Sequence, residues 1–223
     1  NIWIFSTYSL ERVRSLQIPP TQNNSISFSF NDELLCFVAS DGIVQNFNLA
    51  EFTKIGENLI NKNFSYRAST FLAHDDPADK QVVTVGMKKD EGASLNIFIG
   101  DEEKKELSFL VADETGHGVL CFNDIVKIVS ADNLLQSLAV GTSRGSLILF
   151  GMPPRFLRKE SQFRCGEYVA HFGETTVVRA SEDGRYVFSA GSDGVIFKYE
   201  VQEFTPDRRK GVGSLGSAHR DSV

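Results

Sequence analysis

Tryptophan occurs once in the 223 residues, at Trp3, methionine twice and cysteine three times. The cysteines, Cys36, Cys121 and Cys165, are odd in number and lack the paired spacing of zinc ligands. They offer neither a disulfide framework nor a metal cluster, and read as reduced thiols of a cytosolic compartment. No apolar run approaches the roughly 18 residues that cross a bilayer, so no membrane partner is expected. The N-terminal stretch has no cationic segment followed by an apolar core, and no secretory signal is expected in it. Lys and Arg number 23 against 29 Asp and Glu, a net charge of −6. No basic stripe gathers, which argues against nucleic acid as a partner. Helical periodicity is missing throughout, as are the heptads of a coiled coil.

What the chain has is a repeat. Phe5, Phe47, Phe98, Phe150 and Tyr199 each close a short apolar run, at intervals of 42, 51, 52 and 49 residues. That period is at or slightly above the one expected of four-stranded propeller blades. Ala39-Ser40-Asp41-Gly42 leading to Phe47, Gly141-Thr142-Ser143-Arg144-Gly145 leading to Phe150, and Gly191-Ser192-Asp193-Gly194 leading to Tyr199 read as strand, tight turn, strand. Glycine there supplies the positive φ of a primed hairpin turn. Glu91 to Phe98 is a degraded copy, marked by Gly92 and Leu95-Asn96-Ile97-Phe98. A second turn precedes an apolar strand in each unit: Asn31-Asp32 before Leu34–Val38, Asp79-Lys80 before Val82–Val85, Asp132-Asn133 before Leu134–Val140, Asp183-Gly184 before Tyr186–Ala190. Each unit thus holds an inner strand, two central strands and a weaker outer one.

The expected fold is all-β, a propeller segment of four complete four-stranded blades and part of a preceding one. Asn1 to Ser6 reads as the third strand of a blade, so upstream blades are expected in a longer chain, because propellers close to remove sheet edges. Residues 1–204 form the propeller part. Residues 205–223, with Pro206, Arg208-Arg209-Lys210 and little that is apolar, are expected to be a flexible linker or tail. A basic tail touching an acidic partner surface, such as tubulin, is the sharper alternative.

The last unit, from Ala170-His171 through Ser189-Ala190-Gly191-Ser192-Asp193-Gly194 to Tyr199-Glu200, resembles the WD repeat. Tyr199 stands for its tryptophan and Glu200 for its aspartate. The resemblance implies a structural hydrogen-bond network of His171, Ser189, Asp193 and Tyr199 rather than a hydrolytic triad; such a network rigidifies a blade when every member is satisfied. A nucleophile, by contrast, needs an exposed hydroxyl beside its base. Earlier units depart from the pattern: Phe37 and Val140 occupy the serine position, and Arg144 replaces the turn aspartate. Those blades are expected to rely on packing.

Val140 to Ile148, Met152-Pro153-Pro154, Tyr168-Val169-Ala170-His171 and Asp183 through Tyr199 follow one another in an order similar to the last two blades of the cilia- and flagella-associated protein 57 family. Asn1 to Leu10 resembles a strand of that family too. The resemblance implies a non-enzymatic scaffold on the ciliary or flagellar axoneme. It would be attached to doublet microtubules near inner dynein arms, with tubulin and dynein-associated subunits as partners. A general cytoplasmic WD-repeat adaptor for a multiprotein complex is the alternative. An enzymatic propeller would need a carboxylate set on its inner strands for a hard cation, and Ser25–Phe30 and Ile125–Val129 show none. No cofactor, metal or catalytic residue is expected.

Other residues read as structure. His74 with Asp75-Asp76 precedes Pro77 and belongs to a loop; His117 lies in a glycine turn. Asp101 to Glu106 reads as a solvated hairpin tip joining two outer strands, with a docking patch as the alternative. Trp3 is expected between sheets or at the exposed first edge.

Overall fold

A computed structural model of the chain describes residues 1–21, 24–29, 33–72, 81–99, 102–109, 120–129, 136–152, 165–201 and 219–221. These residues form β-strands joined by turns. Ile2–Phe5 (β1) and Arg12–Leu16 (β2) make a two-stranded sheet. A four-stranded sheet follows from Asn24–Phe28 (β3), Leu34–Ala39 (β4), Ile43–Asn48 (β5) and Thr53–Ile60 (β6). The third contains Phe64–Phe71 (β7), Gln81–Lys88 (β8), Gly92–Ile99 (β9) and Glu102–Phe109 (β10). The fourth contains Phe122–Val129 (β11), Gln136–Thr142 (β12), Ser146–Met152 (β13) and Cys165–Val169 (β14). The fifth contains Thr175–Ala180 (β15), Tyr186–Gly191 (β16), Ile196–Glu200 (β17) and His219–Asp221 (β18). Strands pair antiparallel in chain order, as four whole blades and half of another require.

The repeating aromatics occupy one register position. Phe47 lies opposite Leu35, Phe98 opposite Val82, Phe150 opposite Leu138 and Tyr199 opposite Val187. Each pair belongs to an apolar layer between successive sheets, because alternate side chains of a strand face opposite sides. Ile2, Ile4 and Leu16 pack on Leu35, Phe37 and Phe47. Cys36, Val38 and Val44 pack on Tyr66, Val82 and Phe98. Val83, Leu95 and Ile97 meet Ile125, Leu138 and Phe150, and Ala139, Leu147 and Leu149 meet Val178, Val187 and Tyr199. The inner strands β3, β7, β11 and β15 touch in succession. The sheets therefore fan around one axis.

Phe5 keeps the same facing but differs in exposure, 55 % against 2 % for Phe47: Ile2 and Ile4 pack toward the second sheet, and Trp3 and Phe5 point to the opposite side, where no further sheet of the described residues lies. The first sheet has two strands only. Ile26 and Phe28, opposite Phe37 and Leu35, lie beyond its edge and remain exposed. Arg12 covers the outward Trp3, its guanidinium carbon 4.6 Å from the ring centroid.

Three expectations change. The unit at Glu91 is not degraded in structure: β9 runs eight residues, with its turn accommodated by Asp90 and Gly92 at positive φ. Glu102 to Glu106 lie in β10 and not in a hairpin tip; an outermost strand tolerates a charged run because one edge is solvated and charge there discourages edge-to-edge pairing. His219–Asp221 were expected in a flexible tail, yet they pair with β17 as Lys198↔His219, Phe197↔Arg220 and Ile196↔Asp221. The unpaired edge of β17 gives even a short polar segment backbone partners. His74, Asp75, Asp76, His117, Asn31-Asp32, Asp132-Asn133 and residues 205–218 lie outside the described residues.

Candidate functional site

Turn chemistry positions the site. The turns between second and third strands place Gly42, Gly145 and Gly194 at φ of 81°, 79° and 75°, as the Asp-Gly and Arg-Gly pairs predict. These turns do not stand free. Gly42 O accepts from Asn61 N (2.9 Å), and Gly145 O accepts from Ala170 N (3.1 Å) and His171 N (2.8 Å). The Gly42 and Gly145 turns are thereby tied to the connections leading into the next blades.

A second set of bonds ties the turns of the third, fourth and fifth sheets to the connections entering their own blades. Lys89 N donates to Asn63 O at 2.7 Å. Ser143 N donates to Cys121 O (2.9 Å) while Cys121 N donates back to Ser143 Oγ (3.0 Å). Ser192 repeats this bracket: its N–H donates to Glu174 O (2.9 Å) and its Oγ accepts from Glu174 N (2.9 Å). One end of the molecule is a rigid, hydrogen-bonded face.

Of the four expected network residues, the structure brings three together. His171 Nδ1 lies 3.1 Å from Asp193 Oδ1 and Nε2 lies 2.8 Å from Ser189 Oγ. A carboxylate only accepts, so in the neutral ring the proton sits on Nδ1 and Nε2 accepts from the Ser189 hydroxyl. Asp193 Oδ2 also accepts from Phe172 N (3.0 Å) and Oδ1 from Val195 N (3.1 Å). The Phe172 amide, followed by Val195 and His171, holds the Asp193 carboxyl below the usual carboxylate range against a smaller opposing effect of desolvation. A Cβ at Gly191 would collide with the His171 ring, which accounts for glycine there.

Tyr199 does not join by a hydrogen bond. Its ring is buried beside Phe197, and its hydroxyl has no partner of acceptable geometry. Burial pushes the phenol above its ordinary pKa, while the neighbouring Ser189 hydroxyl pulls the other way.

Asp–His–Ser connectivity is also that of a hydrolytic triad. Here it is sealed. Ser189 is 1 % exposed, and the His171 ring packs edge-on against Phe197 at 5.0 Å. With the serine oxygen buried, the three residues join the turn, the second strand and the incoming connection.

Two devices escaped sequence reasoning. Arg144 occupies the Asp193 position in the fourth blade, and Thr142 takes over the turn: its Oγ1 accepts from Arg144 N (3.3 Å) and Ser146 N (3.1 Å) and lies 2.9 Å from Ser146 Oγ. That blade does not rely on packing alone. Aligning Thr142-Ser143-Arg144-Gly145 with Gly191-Ser192-Asp193-Gly194 shows the shared serine that makes the bracket. The second device, Asp124 on β11, had no signal. Its Oδ2 accepts from Val178 N (2.8 Å) and Arg179 Nη1 (2.7 Å) and clamps the fourth blade to the fifth.

No protein-family model matches the chain. Four-stranded sheets fanned around an axis, with aromatic-closed third strands and a His–Ser–Asp brace, define the chain as a segment of a WD-type β-propeller. Among solved structures it is similar to the β-propeller domain of Cps50 (Swd1) from Myceliophteria thermophila, with a TM-score of 0.65 and 15 % identity over 98 % of this chain and 65 % of that one. In sequence it resembles cilia- and flagella-associated protein 57 of Mus musculus, 26 % identical over 201 residues. The match takes in 90 % of this chain and 14 % of the length of that protein. The likeness read from the last two blades therefore extends over most of the chain.

Proposed function

We propose that the chain is part of a non-enzymatic protein-interaction scaffold of cilia or flagella, docked on axonemal doublet microtubules near the inner dynein arms. Tubulin and dynein-associated subunits are its partners in this reading. The observation that carries it is the similarity over 90 % of the chain to a protein named for association with cilia and flagella. The sealed His171–Ser189 pair supports the non-enzymatic part, since the one triad-like arrangement among the described residues serves the fold. Propeller faces bind through broad loop-lined surfaces, and the bonded turns offer such a surface with little ordering cost.

The test is detergent extraction of a ciliated cell carrying the tagged full-length protein. Retention on the axoneme at fixed positions is expected. Release with the soluble fraction overturns the ciliary assignment.

A further inference from the structure

The segment from Glu167 to Glu174 carries four exposed side chains: Glu167, Val169, Phe172 and Glu174. Phe172 is 103 % exposed and Val169 88 %. Single exposed apolar residues are ordinary, but here two lie three positions apart on a backbone bonded at nearly every step. Phe172 N is held by Asp193, Ala170 N and His171 N by Gly145 O, and Glu174 N by Ser192 Oγ. A Cβ at Gly173, between them, would strike Ser192 Oγ. The phenyl ring therefore stands on a fixed platform and adds nothing to the apolar layers below it.

Pre-ordered aromatic rings are the side chains that anchor interfaces, since little freedom is lost when they are covered. The surrounding charge selects the partner. Glu167 and Glu174 flank the apolar pair, and Asp193 lies on the adjoining turn. Arg144, on the turn that binds His171 N, is half-buried and already engaged. A cationic side chain laid on the Phe172 ring gains from its negative face; Glu167 and Glu174, the latter also accepting from Asn123 Nδ2 (3.4 Å), give the exposed segment its negative sign.

We infer that Val169 and Phe172, framed by Glu167 and Glu174, form a docking surface for a basic segment of a protein partner that carries apolar residues between its Lys or Arg side chains. This rests on the scaffold reading and adds to it a place and a partner chemistry.

The test uses the full-length protein in ciliated cells with photo-reactive benzoylphenylalanine in place of Phe172. The cross-linked peptide is expected to carry Lys or Arg close to the point of attachment. Glu174→Lys should reduce the cross-link about tenfold, a change of about 1.4 kcal/mol, with thermal unfolding unaltered; Glu167→Lys serves if Glu174→Lys perturbs folding. Attachment to acidic segments, or a yield indifferent to both charge reversals, overturns the surface. Absence of any cross-link while the protein stays on the axoneme overturns the surface and leaves the scaffold reading intact. Release of the unsubstituted protein from the axoneme overturns both.

Discussion

His171 Nε2 lies 2.8 Å from Ser189 Oγ across 18 positions of sequence, both buried. The pair joins the connection entering the fifth blade to its second strand, and Asp193 extends the join to the turn beyond. Ser189→Ala leaves a buried imidazole nitrogen unpaired, which costs about 1–3 kcal/mol. Tyr199→Phe removes a hydroxyl that has no partner and should change stability by less than about 1 kcal/mol, toward greater stability. Denaturant unfolding of the two variants checks the contrast; equal losses would mean that Tyr199 belongs to the network after all.

The Asp193 carboxyl sets an acid dependence. Its folded pKa is depressed, first by the Phe172 amide, so its stabilisation is complete above the unfolded value of about 3.9 and disappears as pH falls through the folded value. The gap in melting temperature between the native protein and Asp193→Asn should hold from neutral pH down to about 5, narrow below about 4 and close only as the pH passes the depressed folded value. A gap that persists in stronger acid would show that the negative charge is not what braces the turn.

Gly42 and Gly194 occupy equivalent turns with similar positive φ, yet alanine should affect them differently. At Gly194 nothing lies near a new Cβ, leaving only the left-handed backbone to cost about 1 kcal/mol. At Gly42 the Cβ would run into Asn61 O, the group beside the bond that ties the turn to the next blade. Gly42→Ala should therefore be the more damaging by about 2 kcal/mol or more, measured as the difference between the two unfolding free energies.

Thr84 is wholly buried between Ser69 and Asn96 on neighbouring strands, and its hydroxyl finds no partner. Thr84→Val exchanges an unsatisfied group for a methyl and should stabilise by about 1 kcal/mol or more. A lower melting temperature would indicate that the hydroxyl is satisfied in solution.

Cys36 is fully buried and burial pushes its thiol up to about 12, the nearby Ser69 hydroxyl notwithstanding. The thiolate is the reactive form. Iodoacetamide near pH 8 should leave Cys36 unmodified in the folded protein and alkylate it in denaturant, as mass spectrometry would read. Rapid modification under native conditions would place the second and third sheets apart rather than packed.

The unit of about fifty residues was readable because three signals coincide in every repeat: a turn that needs glycine, an apolar run of strand length, and an aromatic at its close. Phe47 and Phe150 sit where that pattern puts them. The His171, Ser189 and Asp193 brace was readable for a related reason, since its members keep fixed distances from the turn. Tyr199 was expected in the network from its place in the repeat, and a residue type says nothing of where its hydroxyl ends up. Ser143 was overlooked although its counterpart Ser192 stood in the same four-residue frame.

The sequence by itself determined that this protein is an array of antiparallel sheets with one aromatic per unit, because strand alternation and turn conformations are local properties of the chain. Tertiary structure decided the rest. It made Thr142 the substitute for a missing aspartate, set Asp124 on β11 against Val178 and Arg179 some 54 and 55 positions away, and drew His219–Asp221 onto the edge of β17. These outcomes depend on which surfaces and unpaired backbone groups meet when sheets pack, and no spacing along the chain encodes that.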